Sequence, residues 1–395
     1  MVAPAPLDEP SNFSLVLGGP LYQMFRLAHL TGPELELFLR RQVVFLLLLC
    51  WVPLAVLSWF EAHFLGGTKL SFARDVLTQV RLLVALPVMI LGEAVVHQRI
   101  GPAVKRFIEG QVVTSADLPK FYAAIDSVMR LRNSVIAEIA LLAFVFTGGI
   151  WIWRHRIAIE VTSWYASSEG GRMHFTLAGY WFAFVCLPIF QFIWLRWYLR
   201  LFIWFWFLFR VSRLKLQLLA AHPDRAGGLG FLGKSTYAFM PLLFAQGALA
   251  SGQIAERIFF EGRSLLSFKL PIVWVVSFLV VAILAPLFVF APLLAHAKRE
   301  GLKEYGALAS SYVTKFNQKW LQTKFSDEEL LGTNDLQSLA DLDSSFTVIR
   351  EMGTIPFARD DVARLLVVTI APFAPLLLTI MPLDELLTEA VKIML

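Results

Sequence analysis

Apolar residues in this chain gather into long unbroken stretches separated by short segments rich in Lys, Arg and small polar residues. A helix needs about 20 predominantly apolar residues to cross a hydrocarbon layer of roughly 30 Å. Stretches of that order lie near 43–60, 82–97, 134–153, 176–195, 236–255, 271–295 and 365–382. The pattern predicts an all-α, polytopic transmembrane protein of about seven spans with a helical layer on its cytosolic side. Its parts are an N-terminal cytosolic segment (1–42), six spans with cytosolic extensions (43–298), cytosolic helices (299–363), and a seventh span followed by a short amphipathic segment (364–395). The last span carries Pro372, Pro375 and Pro382. Six spans with a buried seventh segment is therefore the alternative.

Two stretches outrun the membrane. The fourth continues through Arg196, Trp197, Tyr198 and Arg200 into the aromatic run 201–209. Trp and Tyr favour the interface and Arg snorkels there, so the helix is expected to leave the bilayer near Arg196 and pack against cytosolic helices. After the sixth span, Leu302, Tyr305, Ala309, Tyr312, Val313, Phe316 and Trp320 recur at steps of three and four, one face of an amphipathic helix that continues the span without a break. Ser326 with Glu329 reads as a capping box. A further helix over 334–352 carries Leu336, Leu339, Leu342, Phe346 and Ile349 on one side and stops at Gly353. These stripes join subunits of a homo-oligomer or pack against one another within one chain.

Charge fixes the expected orientation. Of the 35 Lys and Arg residues, 25 fall in 1–42, 98–133, 196–235 and 298–364. By the positive-inside rule the N-terminus is cytosolic, and an odd number of spans places the C-terminus outside. The net charge of +5 is thereby a topology signal, and the basic residues form no patch with interleaved aromatics of the kind that binds nucleic acid. No removable signal peptide is legible at the N-terminus. Cys50 and Cys186 both lie within apolar runs and read as small hydrophobes rather than a disulfide framework or metal site.

The segment His222-Pro-Asp-Arg-Ala-Gly-Gly-Leu-Gly-Phe-Leu-Gly-Lys-Ser235 satisfies the spacing of a phosphate-binding loop from Gly228 to Ser235. Such a loop works between a buried strand and a helix of an α/β domain, and here it lies between two spans. It reads as a tight glycine turn. His222, Asp224, Arg225 and Lys234 are then available for local hydrogen bonds, an ion pair, or an anionic lipid headgroup at the cytosolic surface. This turn, HPDRAGGLGFLG, and LLGTNDLQSLADL at 330–342 resemble segments of uncharacterised bacterial multi-span membrane proteins. The resemblance covers the C-terminal half and implies a bacterial inner membrane but no activity.

The fifth span is the least lipid-like. Gln246, Ala250, Gln253 and Arg257 fall along one face, with Gly247, Ser251 and Gly252 beside them. Polar side chains in hydrocarbon line a water-filled path or join helices by hydrogen bonds, and both readings stand. Glu93 and His97, one turn apart, form a proton relay, half a metal site, or local pairs; Glu138 is the other ionisable group set within apolar sequence. Arg99 and Arg132 are the expected carboxylate partners. No cofactor or catalytic constellation is present, and no His pair is spaced for haem. The chain is expected to be a non-enzymatic channel or passive transporter for ions or small solutes, alternatively a membrane-embedded sensor or scaffold acting through its cytosolic helices.

Overall fold

The computed structural model describes residues 13–16, 18, 35–64, 72–149, 164–169, 172–322 and 334–379. Nine helices lie among them: α1 (Leu35–Phe64), α2 (Val76–Glu109), α3 (Leu118–Arg132), α4 (Val135–Gly149), α5 (Leu177–Val211), α6 (Phe231–Glu261), α7 (Leu265–Gln322), α8 (Asn334–Glu351) and α9 (Arg359–Thr379). The protein is an all-α, multi-pass membrane protein. Six helices, α1, α2, α5, α6, α7 and α9, are each long and apolar enough to span; α3 and α4, bent by 42° at their junction, give a seventh if they are taken as one span. The proline-containing last segment passes this test, tightening to a 3₁₀ helix over Ala371–Thr379. The third stretch is described as α4 up to Gly149, and the remainder of 134–153 lies outside the described residues. One small hairpin interrupts the helices: β1 (Ala166–Glu169) pairs antiparallel with β2 (Arg172–Phe175). The capping box at Ser326 lies outside the described residues.

The bundle has two ends, a hairpin end with β1 and β2 and a glycine-loop end with the 222–235 turn. At the hairpin end, Asp75 caps α2: its carboxylate accepts from the Thr78 amide at 2.7 Å, the Thr78 hydroxyl at 2.9 Å and the Trp164 indole at 2.8 Å. Glu61 of α1 accepts the Leu177 amide at 2.6 Å, satisfying one of the free donors that open α5. Cys50 and Cys186, unlinked in sequence reasoning, share one apolar cluster as free, buried thiols. At the glycine-loop end, Phe107 of α2 is a fully buried hub, its ring 5.8 Å from Phe121 of α3, 6.1 Å from Phe207 of α5, 5.1 Å from Phe231 of α6 and 6.5 Å from Phe290 of α7. Each such aromatic pair adds about 0.5–1.5 kcal/mol beyond the area it buries, and together they tie five helices at one level.

The amphipathic stripe of 302–320 continues α7 unbroken and packs on α8. Tyr312 donates to the Asp335 carbonyl at 3.0 Å, while Lys319 and the Trp320 indole reach its carboxylate at 3.0 and 3.1 Å. This two-helix arm leaves Leu308, Val313, Leu321 and Leu336 exposed.

α5 is indeed continuous past the apolar run, but Arg200 does not snorkel. Arg200 is 3% exposed and donates to Glu93 of α2 at 2.7 Å. Trp197, also buried, donates to the Met89 carbonyl at 3.1 Å. A guanidinium buried in a bundle requires a carboxylate, and Glu93 supplies it.

Candidate functional site

Along α6 the small residues and the polar residues divide the two readings of this helix between two faces. A Cβ on Gly247 would sit 2.3 Å from the Thr369 carbonyl of α9, so this face is held in close contact with its neighbour. Gln246 and Gln253 instead line a cavity of about 690 Å³. Leu77 and Arg81 of α2 also border it. Gln191 and Trp194 of α5 form one wall, Trp274 and Phe278 of α7 the other, and Gly149 of α4 packs against Gln191. Arg257 is not among these residues. It lines a neighbouring cavity of about 310 Å³ toward the hairpin end, and Gln253 and Ala250 border both.

The polar groups of the larger cavity are unusual in their partners. Arg81 Nε, Gln191 Oε1 and Trp194 Nε1 are all buried and make no hydrogen bond, while the Gln246 amide is engaged by the Tyr198 phenol. A buried polar atom left unpaired costs about 1–3 kcal/mol. Three lie beside one cavity, where a polar guest reached by a small side-chain rotation lowers the free energy. Arg81 is held between two rings, its guanidinium carbon 5.7 Å from the Phe182 centroid and 5.6 Å from that of Phe190, with Asp75 and Glu256 acting on its charge from the hairpin end. Glu256 accepts the Leu77 amide at 3.2 Å, tying α6 to the start of α2.

Three short π-helical turns meet the cavity. Val80–Ala85 contains Arg81, Val145–Gly149 ends at Gly149, and Phe182–Cys186 ends immediately before Leu187, another lining residue. Such turns widen a helix locally and gather at functional sites.

On the glycine-loop side of the cavity α2 and α6 close up: a Cβ on Gly92 would lie 2.4 Å from Pro241. Past that contact, a second cavity of about 1200 Å³ is lined by Arg106, Lys234, Tyr237, Arg364 and the glycine turn. In the turn the backbone amides that a phosphate would need are already taken. Asp224 accepts from the amides of Ala226, Gly228 and Gly230 at 2.9, 3.1 and 2.8 Å, and lies 2.7 Å from His222. Burial pushes the Asp224 carboxyl up, but these four donors outweigh it and hold it below the ordinary aspartate value. Arg225, in the left-handed region at φ 53°, pairs with Glu351 at 3.0 Å, and its carbonyl accepts the Gly353 amide at 2.8 Å. Lys234 is exposed at the cavity edge.

The remaining intramembrane candidates separate. Glu93 pairs with Arg200, neither Arg99 nor Arg132, and His97 binds the Ser14 hydroxyl through Nδ1 at 3.0 Å. The two are thus engaged with different partners, and no group of three or more metal-ligating residues occurs among the described residues. Glu138 is buried and, with Glu93, acts on the charge of Arg196. Arg99 instead stacks on Tyr237, 5.4 Å from its centroid, and Arg132 donates to the Ser14 carbonyl.

Arg81 escapes the sequence pattern because it is the one polar residue that α2 brings to the cavity, and Gln191 and Trp194 because they sit within the apolar and aromatic run of α5. Arg81 does carry a signal: it falls one position before the expected start of the second span, and an ionisable group within a span is a functional candidate. No protein-family model, curated protein or solved structure matches the chain.

Proposed function

We propose that this protein is a passive transporter or channel for small solutes, with its path running along α6. The observation that carries the reading is the 690 Å³ cavity bordered by Gln246 and Gln253, with three buried polar atoms of its lining residues that lack partners. Along α6 the order is second cavity at Tyr237, contact at Pro241, solute cavity from Gln246 to Gln253, and smaller cavity at Arg257. That succession fits two access chambers divided by a closed contact. The distribution of Lys and Arg favours a cytosolic glycine-loop end and an outward hairpin end, and the resemblance of the 222–233 and 330–342 segments to bacterial multi-span proteins favours a bacterial inner membrane. The solute cavity then occupies the outer half of the bilayer, and Lys234 with its neighbours faces the anionic inner leaflet. The exposed leucines of the α7–α8 arm fit assembly into a homo-oligomer.

Purified protein in liposomes, tested for uptake of several salts and small organic anions, decides this. Wild type is expected to conduct at least one of them, with flux falling in Gln246→Leu and Gln253→Leu. Folded protein with no flux under any condition would overturn the reading. A second reading, a sensor or scaffold acting through the projecting arm, is favoured by the arm's exposed apolar residues; electrical silence with retained partner binding by the arm is its signature.

A further inference from the structure

The chemistry of the cavity selects a class of guest. Its lining holds one cation, Arg81, and no acid. Of the three buried atoms without partners, Arg81 Nε and Trp194 Nε1 are obligate donors, and Gln191 presents one end of an amide that reverses by rotation. A guest that completes Arg81 and Trp194 has to accept hydrogen bonds. Asp75 and Glu256 act on Arg81 from outside the lining, and on the cavity side, which holds no acid, an anionic acceptor is its stronger partner.

The rest of the lining is apolar, and one side is open. Leu187 and Phe190 of α5 face the cavity from one wall, and on the other Trp274 is 74% and Phe278 70% exposed, so α7 does not seal it. In a membrane-spanning bundle that side meets lipid. A guest therefore has an apolar body able to lie across the open wall, and about 690 Å³ is within the ordinary range for a mid-sized organic ligand.

We propose that the cavity binds amphipathic anions: a single negatively charged head at Arg81 and Trp194, with an apolar chain lying between Phe190 and Trp274. This rests on the reading of the cavity as the solute site and adds the class of solute. The same chemistry is offered by a free carboxylate, such as a medium-chain fatty acid, and by an anionic phospholipid of the surrounding bilayer.

The test uses bromine quenching of tryptophan fluorescence in nanodiscs of zwitterionic phosphatidylcholine. The probes are a bromo-fatty acid, the matching bromo-alcohol, and phosphatidylglycerol with brominated chains. Signal from the cavity is isolated by difference against Trp274→Phe, which keeps an aromatic apolar wall and leaves Arg81 and Trp194 in place. Saturable quenching by the fatty acid, at least about ten-fold weaker in Arg81→Gln and recovered in Arg81→Lys, is the expected result. Saturable, Arg81-dependent quenching by phosphatidylglycerol alone supports the same class with the bilayer as its source. Equal quenching by the alcohol, or binding untouched by Arg81→Gln in protein whose melting temperature is unchanged, overturns the proposal. Binding without liposomal flux would sink transport and leave this site standing; flux with no Arg81-dependent anion binding would do the reverse.

Discussion

Glu93 of α2 and Arg200 of α5 meet at 2.7 Å inside the bundle, with side chains 12% and 3% exposed. Neither charge has water to fall back on, so each needs the other. Removing one partner of a buried pair costs about 3–5 kcal/mol, whereas replacing both by apolar groups of similar size is often tolerated. Glu93→Leu is expected to lower thermal stability in detergent sharply. The double variant Glu93→Leu/Arg200→Met is expected to regain most of the loss. A single variant as stable as wild type would show that the pair does not hold α2 to α5.

Gly247 measures how closely α6 and α9 approach. A methyl group there meets the Thr369 carbonyl, a backbone atom that cannot rotate away. Gly247→Ala is expected to destabilise by about 1–3 kcal/mol, the usual cost of overpacking. Gly306 of α7 is the comparison, since its nearest contact is Phe346 at 3.9 Å. Gly306→Ala gains up to about 1 kcal/mol of helix propensity. Unfolding midpoints of the two variants check the contrast, and equal shifts in one direction would contradict it.

The glycine turn is expected to be acid-labile. Asp224 has a folded-state pKa below its unfolded value, so the stability it contributes is fully present above the ordinary aspartate value of about 3.9 and is lost as pH falls through the lower folded value. Hydrogen exchange at the amides of Ala226, Gly228 and Gly230, corrected for intrinsic rates, should show constant protection from neutral pH down to about pH 4 and loss below it. Asp224→Ala should abolish that protection at every pH and also speed exchange at Gly353, whose amide rests on the Arg225 carbonyl. Unchanged exchange in this variant would mean that the turn is held by other contacts.

Much of the architecture is legible in the letters because one helix is enough to reveal it. The stripe from Leu302 to Trp320 repeats at helical spacing, and it does form one side of the α7–α8 arm. The paired glutamines of α6 are legible for the same reason. What a single periodic segment cannot convey is convergence between helices. Arg200 looks like an interfacial arginine until Glu93, 107 positions earlier, is brought beside it. The cavity depends in the same way on Arg81, Gln191 and Gln246, which lie on three helices. The glycine segment misleads for the opposite reason, since its spacing fits a phosphate loop while Asp224 occupies the amides.

The central claim, that one face of α6 borders a solute path, is tested most directly by cysteine accessibility. In a background with Cys50→Ala and Cys186→Ala, single cysteines at positions 246, 247, 250, 251 and 253 are exposed to a small charged thiol reagent from either side of sealed membranes. Positions 246, 250 and 253 are expected to react from the hairpin end, fastest at 253, while 247 and 251 stay protected in their helix contacts. Protection at all five positions, or equal reaction on both faces of α6, would contradict the claim.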